Sequence, residues 1–409
     1  MRSLRLQRWA PSRNALVGAA ILAALVTGAP ASEGDAEGAE RADRVAAAPP
    51  TTSTSTTTTA PPPPASFTLV ATGDVLLHSP LWHQASADAA AAGTAGFDFR
   101  PLIAGVKPVV SAADLSICHF ETPVSEPGGP YSGYPSFSVP PSIVPALTDT
   151  GYDACTTASN HTYDRGADGV DRTLDTLDAA GIRHAGSART PEEAEEVTLI
   201  RVGEATVALL SYTYGFNGIP PPDGQHWRSN PIDEEAILAD AAAARMQGAD
   251  VVVVALHWGN EYQHEPNPQQ AELAPRLIRA PTIDLVLGHH AHVVQPMELI
   301  DGEWVVYGMG NMVARHGTPG APNEEGLLVR FTFTERPGGW RVTDAEFAPL
   351  LMVKDRDPKR LVDVARALAD PSTSPDLRDR LALAWQRTLE VVGSRGALDA
   401  GLTPIATPP

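Results

Sequence analysis

Five short apolar runs, each followed at once by residue types that bind metals, constrain the fold of this chain more than any other feature. The runs lie at residues 67–71, 115–118, 154–157, 251–256 and 283–287. Helical patterns separate them, and strands that alternate with helices are typical of an α/β fold. In open α/β sheets, side chains just beyond the carboxyl ends of the strands converge on one crevice. The sequence therefore predicts an α/β domain with a polar site at one end of its strands.

The segments that follow these runs concentrate histidine, carboxylate and amide side chains. Seven of the twelve histidines lie in them, whereas random placement would scatter histidines over loops and surface. A Gly-Asp or Asn-His pair alone is usually a turn, but three histidines after one strand are hard to justify structurally. The ordered set indicates a metal site more strongly than any member does. In chain order the segments are Gly73-Asp74 with His78, His119-Phe120-Glu121, Ser159-Asn160-His161, 257–261 and 288–292.

Outside these runs the pattern predicts a hairpin, a capped helix and late strands. Residues 198–202 and 206–210 are expected to pair as the hairpin. Asn230 and Pro231, followed by three acidic residues, predict the start of a helix, and Gly248 predicts its end. Further strands are expected at 304–307, 327–333 and 341–347, and a helical segment at 358–393.

The first 31 residues carry the pattern of an export signal. Four arginines precede an uncharged, mostly apolar run at 15–28, and Ala29-Pro30-Ala31 supplies the small residues of a cleavage site. The run is short for a membrane span, which needs about 20 apolar residues. We expect residues 1–31 to be a cleaved signal peptide, with an uncleaved signal anchor or a buried helix as the alternatives. The domain is therefore expected outside the cytoplasm, secreted or tethered to membrane or wall.

Residues 32–66 are acidic and alanine-rich, then rich in threonine and proline. Such a segment does not bury enough apolar surface to fold. We interpret it as a disordered, extended tether, which at the rise of a polyproline conformation would reach roughly 100 Å.

The chain is strongly acidic. Its formal net charge is −19, from 30 basic and 49 acidic residues. Such a charge argues against nucleic acid or an anionic membrane surface as a partner. An anionic substrate therefore needs a local positive feature in order to bind.

Cys118 and Cys155 are the two cysteines of the sequence. Each lies late in an apolar run, so the two could be neighbours in one sheet. In an oxidising compartment they could pair as a disulfide, and two buried free thiols are the equal alternative.

The ordered ligand set resembles that of the CapA family, the poly-γ-glutamate capsule-synthesis relatives of the calcineurin-like metallophosphoesterases. The resemblance implies a four-layer α/β/β/α sandwich over residues 67–353, followed by a helical extension and tail at 354–409. The matching stretches are ATGDV at 71–75, FETP at 120–123, NH at 160–161, HWGNEY at 257–262, GHHAHV at 288–293 and GMGN at 308–311.

The resemblance also implies one or two divalent ions and their ligands. Asp74 and His292 would bind the first ion, and Glu121 would take the place of a bridging carboxylate. Mixed carboxylate, amide and imidazole ligands suit Mn, Fe or Zn. The ligands of the second ion would be Asn160, His257 and His290.

The same resemblance assigns catalytic and supporting roles. His161 would protonate a leaving oxygen. Glu261 would act beside it, contacting the substrate or supporting the metal ligands. Asn311 would also contact the substrate or support the metal ligands. The additional candidates for the ligand sphere are His78, His119 and His289.

Two departures from the family pattern concern the first ion. The family has Asn where this chain has His119. His119 is either an added metal ligand or a change in the set of residues around the first ion. The superfamily's Asp-x-His after the first strand is absent, and His78 lies four residues after Asp74 instead. A one-metal site is therefore an alternative to a two-metal site.

Three functions remain open from the sequence. The first is a metal-dependent hydrolase of a phosphoester or related bond. The second is a component of a machine that makes or exports poly-γ-glutamate or another anionic envelope polymer, together with membrane-bound synthesis proteins. The third is a non-catalytic scaffold or binding module with a vestigial metal site.

Overall fold

The computed structural model describes residues 64–316 and 321–405. The expected signal peptide at 1–31 and almost all of the expected tether at 32–66 lie outside the described residues, so both remain predictions. Within the described part, no helix combines the length and the apolar character needed to cross a bilayer.

The described chain forms fifteen strands and ten α-helices, with three short 3₁₀ turns between them. The strands are β1 Ser66–Val75, β2 Leu115–Phe120, β3 Ala154–Thr156, β4 Arg183–Ala185, β5 Thr198–Val202, β6 Ala205–Thr213, β7 Val251–His257, β8 Leu285–His289, β9 Met297–Ile300, β10 Glu303–Val306, β11 Asn311–Val313, β12 Glu325–Arg336, β13 Gly339–Val353, β14 Arg360–Asp363 and β15 Thr403–Pro404. The helices are α1 Ser79–Ala91, α2 Arg100–Ile103, α3 Lys107–Val110, α4 Ile143–Thr150, α5 Gly166–Ala179, α6 Pro191–Ala194, α7 Glu234–Met246, α8 Pro268–Ile278, α9 Val364–Ala369 and α10 Pro375–Gly393.

The strands form two sheets. The first has the order β14-β13-β12-β1-β2-β3-β4, with β11 paired to β1 and β15 paired to β13. The second has the order β5-β6-β7-β8-β10-β9. In the first sheet β1 to β4 run parallel, and in the second β6, β7, β8 and β10 do. Each sheet therefore directs the carboxyl ends of several neighbouring strands toward one end of the molecule.

The alternation of side chains along the strands builds the layers. Leu69 on β1 and Val253 on β7 lie in the same apolar cluster, so the two sheets pack face to face. The adjacent Val70 points the other way, into a cluster with α1 to α5, and Val252 does the same toward α7 and α8. The four-layer α/β/β/α sandwich expected from the sequence is thus confirmed.

Local signals place the two helices that cover the second sheet. Asp233 caps α7 by accepting a hydrogen bond from the backbone N–H of Ala236. Asn267 and Gln270 form a reciprocal capping box at the start of α8. The helix start predicted at Asn230 was three residues early, because Pro231 bridges Thr213 beside β6 before the helix begins.

The C-terminal segment is more than the helical extension expected over 354–409. Helices α9 and α10 are present, but β14 adds an edge strand to the first sheet next to β13. β15 pairs with β13 as well. The segment 358–363, expected to be helical, therefore contains a strand, and the extension is an integral part of the sandwich.

The two cysteines are register partners on the parallel strands β2 and β3. They form a disulfide, with both side chains buried. Of the two alternatives left open by the sequence, pairing is the one that the structure contains.

Candidate metal centre

The ends of β1, β2, β7 and β8, with the loop after β3, bring the candidate ligands together. Asp74 lies near the end of β1, and His257 and His289 are the last residues of β7 and β8. Glu121 follows β2 directly, and Asn160 and His161 lie in the turn after β3. The convergence at the carboxyl ends of strands agrees with the rule used on the sequence.

Two glycines permit this convergence, because the backbone of the neighbouring strand runs against them. A Cβ on Gly73 would lie 2.0 Å from the carbonyl oxygen of Gly310, and one on Gly288 would lie 1.9 Å from that of Tyr307. Any side chain would push the strand ends apart. The glycine before Asp74 and the glycine before His289 are therefore required by packing.

Asp74 is fully buried and accepts hydrogen bonds from the histidine cluster. Its Oδ1 lies 3.2 Å from Nδ1 of His289, and its Oδ2 lies 3.0 Å from Nδ1 of His292. The backbone N–H of His290 also donates to Oδ2. Burial would raise the pKa of Asp74, but the bonds from His289 and His292 hold that pKa well below its ordinary value. Asp74 is therefore a carboxylate, as a metal ligand must be.

Glu121 differs from Asp74 because it lacks partners. It is 1% exposed, and neither carboxylate oxygen has a hydrogen-bond partner among the residues that the structure describes. Its nearest ion-pair partner is Nε2 of His292, 3.7 Å from Oε1. Burial raises the pKa of Glu121 well above its ordinary value. A buried carboxylate without partners requires an explanation, and an ion held between its oxygens and His292 is one.

Asn160, His257 and His290 form a second, uncharged half of the site. Nε2 of His257 lies 3.0 Å from Oδ1 of Asn160, and the rings of His257 and His290 are 4.7 Å apart. Burial lowers the pKa of His257 and, together with the charge of His292, lowers the pKa of His290 to about 3. Both rings are therefore neutral at physiological pH, which is the form that binds metals.

His292 has the opposite electrostatic character. Burial would lower its pKa, but the charges of Glu121 and Asp74 raise that pKa to about 9. A protonated His292 is the only positive charge placed between these two carboxylates in the described part of the site. An ion that takes its place would meet the same attraction.

The backbone of the site is strained. Five described residues other than glycine have positive φ, and three of them are here: Tyr262 at 63°, His290 at 86° and His292 at 54°. Such conformations are costly for residues with a side chain and concentrate at functional sites. Tyr262 also donates its backbone N–H to the carbonyl of Ala291, 2.7 Å away, which ties the loop after β7 to the histidine cluster.

His161 and Asp164 form an oriented acid–base pair beside the ligands. Nδ1 of His161 lies 2.8 Å from Oδ2 of Asp164, whose same oxygen accepts the backbone N–H of Phe137. The ring edge of His161 also packs on Phe137 at 4.8 Å. Asp164 therefore fixes the orientation of the imidazole and leaves its Nε2 facing away from the carboxylate.

The remaining candidates lie at the rim of the site. Glu261 is exposed, and its carboxylate lies within 4.8 Å of ligand atoms of His290 and His292. Asn311 contacts His292 twice, through Oδ1 to Nδ1 and through Nδ2 to the backbone oxygen. Asn311 therefore orients His292.

His78 lies beside the site, in contact with the backbone that follows β11. Its Nδ1 accepts the backbone N–H of Arg315, and its ring lies against Phe137 and His316. Burial lowers the pKa of His78 to about 4. His78 is absent from the described groups of residues whose ligand atoms lie close enough to share an ion.

Three such groups exist among the described residues, each with ligand atoms within 4.8 Å of one another. Two of them share His292. Their donors are oxygen and imidazole nitrogen, which fits the Mn, Fe or Zn expected from the sequence. The groups are Asp74 with Glu121 and His292, Glu261 with His290 and His292, and Asp74 with His119 and His289.

Sequence reasoning missed three side chains that complete the rim. The ring of Tyr214 packs against that of His290 at a tilt of 40°, with centroids 4.5 Å apart, and its hydroxyl is hydrogen-bonded to the side chain of Asn160. The hydroxyl of Tyr262 lies 3.3 Å from Nδ1 of His316, whose ring packs on His292. Tyr214 follows β6, so the strand-end rule could have found it had β6 been extended beyond residue 210.

Comparison with known proteins agrees with these motifs. The family described as "Bacterial capsule synthesis protein PGA_cap" matches residues 68–316, which is more than half of the chain. The chain belongs to this family. The expectation drawn from the ordered ligand set is therefore confirmed.

Two curated relatives show the same relationship at moderate identity. The chain is 29% identical over 219 residues to the PGA biosynthesis protein CapA of Bacillus subtilis, covering 52% of this chain and 56% of that one. It is 29% identical over 214 residues to a probable polyglutamine synthesis accessory protein of Mycobacterium tuberculosis, covering 50% and 56%. The chain thus spans about half the length of the curated relatives it matches.

Solved structures with a similar arrangement include the calcineurin-like phosphoesterase YfkN of Bacillus subtilis. Its TM-score is 0.42 at 16% identity, covering 80% of this chain and 99% of that one. A 5'-nucleotidase precursor of Thermus thermophilus has a TM-score of 0.44 at 15% identity, covering 80% and 59%.

Proposed function

We propose that this protein is an exported member of the capsule-synthesis family with a metal-dependent hydrolytic centre. Its substrate would be an anionic envelope polymer such as poly-γ-glutamate, or a phosphoester formed during synthesis of the polymer. The relatives named for PGA and polyglutamine synthesis support the polymer. The donor set of the site supports the hydrolytic centre.

The observation that carries this proposal is the state of Glu121. Among described residues its two buried oxygens have no hydrogen-bond partner, and Asp74 and His292 are close enough to share an ion with it. Nδ1 of His290 is likewise buried and unpartnered. Leaving such groups unsatisfied costs about 1–3 kcal/mol each. A divalent ion would satisfy these atoms with bonds that the protein leaves open.

The residues around the ligands suit hydrolysis. A divalent ion bound here would polarise the scissile group and lower the pKa of a bound water. His161, oriented by Asp164, would give a proton to the leaving oxygen. Glu261 and Tyr262 lie at the solvent-exposed mouth, where they can contact a long substrate. The ion would also supply the positive feature that an anionic substrate needs against a net charge of −19.

Export is supported by two independent features. The first 31 residues have the pattern of a signal peptide, and the disulfide between Cys118 and Cys155 suits an oxidising compartment. In protein isolated from its native host and then unfolded in denaturant, both cysteines should resist alkylation until a reductant is added. Alkylation of both without reduction would contradict export.

The hydrolytic proposal is tested by turnover assays on the full chain reconstituted with Mn²⁺, Fe²⁺ or Zn²⁺. The substrates are a phosphomonoester, a phosphodiester and a γ-glutamyl oligomer. His161→Ala should lower kcat by about 100-fold or more, as loss of a general acid does, while metal content stays unchanged. His83→Ala, which changes an exposed histidine of α1, is the matched control and should behave as the parent.

A second function is favoured by the position of His78. Because His78 is absent from the described groups whose ligand atoms lie close enough to share an ion, the first ion would have fewer ligands than the superfamily pattern supplies. A non-catalytic module that binds an ion and a polymer would need no more. Metal binding without turnover of any of the three substrates, together with retention on an immobilised anionic polymer, would favour this reading over the hydrolase.

A further inference from the structure

A chain of polar contacts runs behind the metal centre through His119, one of the two departures from the family pattern. Oγ1 of Thr156 lies 2.8 Å from Nδ1 of His119, and Nε2 of His119 lies 2.9 Å from Nδ1 of His257. Nε2 of His257 then lies 3.0 Å from Oδ1 of Asn160. All four side chains are buried, at most 2% exposed. The chain joins the interior of the first sheet to a ligand supplied by the second sheet.

His119 is poorly placed to be a ligand itself. Its ring stacks on that of His289, with centroids 4.0 Å apart and planes inclined by 20°. Imidazole lone pairs lie in the ring plane, so two stacked rings direct their lone pairs side by side rather than at a common point. Both nitrogens of His119 are also within hydrogen-bond distance of Thr156 and His257. Asp74, His119 and His289 have ligand atoms close to one another, but for these reasons we do not interpret them as a third ion site.

We propose that His119 is a positioning residue that holds His257 in the orientation and tautomer needed to bind an ion through Nε2. The proposal rests on the metal centre proposed above. Histidine ligands commonly donate their second N–H to a neighbouring acceptor, which fixes the ring and raises its basicity. Here the acceptor is another imidazole.

One direction of hydrogen bonding along the chain serves this role. His257 donates from Nδ1 to Nε2 of His119, which leaves the Nε2 lone pair of His257 free. His119 then carries its proton on Nδ1 and donates to Oγ1 of Thr156. The hydroxyl of Thr156 can in turn donate a hydrogen bond to the carbonyl oxygen of Cys118, 3.4 Å away. Every donor in the chain then has an acceptor, while Nε2 of His257 and Oδ1 of Asn160 face each other as two acceptors, 3.0 Å apart, which an ion bound by both residues would satisfy.

Two amide substitutions separate the two nitrogens of His119. The terminal group of glutamine reaches about as far as Nε2, so His119→Gln keeps an acceptor for His257. That of asparagine reaches about as far as Nδ1, so His119→Asn keeps the contact with Thr156 and loses the one with His257. Thr156→Val removes only the outer hydroxyl of the chain. The three variants differ little in volume and charge.

The experiment measures the Kd of the full chain for Zn²⁺ and Mn²⁺ by competition with a chelator, and the unfolding midpoint of each metal-free protein. We expect His119→Asn to weaken binding by about 10- to 100-fold, His119→Gln to stay within about threefold of the parent, and Thr156→Val to fall between them. The unfolding midpoints should not follow this order. If the substitutions acted only on the stability of the fold, the unfolding midpoints would change and the Kd values would not follow the order given above.

Equal Kd values for the Asn and Gln variants, whether close to the parent or far from it, would overturn the positioning role. So would a Gln variant weaker than the Asn variant. A parent protein that binds neither ion would instead remove the metal centre of the proposed function. The two failures are therefore distinguishable.

Discussion

Two buried glutamates in the first sheet meet opposite surroundings. Glu325 begins β12 and is 2% exposed, while Glu121 follows β2 and is 1% exposed. Glu325 accepts hydrogen bonds at 2.7 Å from Arg380 and at 3.0 Å from Arg387, both on α10. Glu121 has no hydrogen-bond partner in the described residues. The first carboxylate ties the C-terminal helix to the sheet, and the second is left open for a ligand.

The contrast shows where this fold keeps unfavourable interactions. A buried charge costs several kcal/mol unless it is paired, and the pairing around Glu325 offsets that cost within the chain. Glu121 has no such pairing, so burial raises its pKa well above the ordinary value, and the nearby backbone of His290 and His292 is strained as well. We attribute the unpaired Glu121 and the strained backbone to a role in binding an ion, whose binding free energy would offset these two costs.

The largest effect is expected from Glu325→Gln. Removing one charge from a buried ion-paired cluster should lower the free energy of unfolding by roughly 3 kcal/mol. Metal affinity should stay within about threefold of the parent, because the side chain faces α10 rather than the ligands. Urea unfolding and metal titration measure the two quantities. Loss of metal with unchanged stability would reverse the proposed roles of the two glutamates.

The matched variant Glu121→Gln should show the opposite pattern. Its amide keeps the shape of the side chain but lacks the charge, so metal binding should weaken by about 100-fold, or about 2.7 kcal/mol. A competition titration gives the Kd. An affinity equal to that of the parent would show that Glu121 is not a ligand.

Glu303 lies between these extremes and gives a pH-dependent effect. One oxygen lies 3.6 Å from Nε of Arg341, and the other has no hydrogen-bond partner among described residues. Burial, and then the charge of Asp284, raise the pKa of Glu303 from its ordinary 4.5 to about 7. Folding therefore favours the protonated form, so stability from this group is present below about pH 4.5 and is lost as the pH rises through about 7.

The variant Glu303→Gln should remove that dependence. Compared with the parent, the variant should gain up to about 2 kcal/mol at pH 8 and little at pH 4. Urea unfolding at both pH values gives the difference directly. A difference that does not change with pH would mean that the pKa of Glu303 is not raised.

The smallest effect is expected in metal-free protein. Because burial raises the pKa of Glu121, folding at neutral pH carries a cost that a neutral amide does not, so Glu121→Gln should raise the free energy of unfolding of the metal-free chain by about 1 kcal/mol. The same substitution should then lower stability relative to the parent once saturating ion is added. A loss of stability in both states would mean that Glu121 has structural partners after all.

The sequence predicted the part of the site that follows the strand-end rule. Asp74, His257 and His289 lie at the ends of the strands in which they were expected, because parallel strands must present those ends together. The rule missed Tyr214 because β6 was expected to end at residue 210 rather than at Thr213, and it did not indicate His316, which lies beyond β11 and packs on His292. It also did not predict the contacts of His78, whose Nδ1 accepts a hydrogen bond from the backbone N–H of Arg315.

Features fixed by distant pairing were harder to predict. Strand β14 is four residues long and exists because β13 offers an edge, so the local pattern at 358–363 resembled the helix that follows. Helix α7 is capped by Asp233 rather than by Asn230 as predicted, because Pro231 pairs with Thr213 of β6. Local signals were right where a cap or a strand end was decisive and wrong where a neighbouring strand competed with them.

The most direct test of the account is elemental analysis of the purified full chain beside its His257→Ala/His290→Ala double variant. We expect about one or two equivalents of Mn, Fe or Zn per parent chain and loss of this metal in the double variant. Absence of bound metal in the parent, even after reconstitution at neutral pH, would contradict the account and leave Glu121 as an unexplained buried carboxyl group.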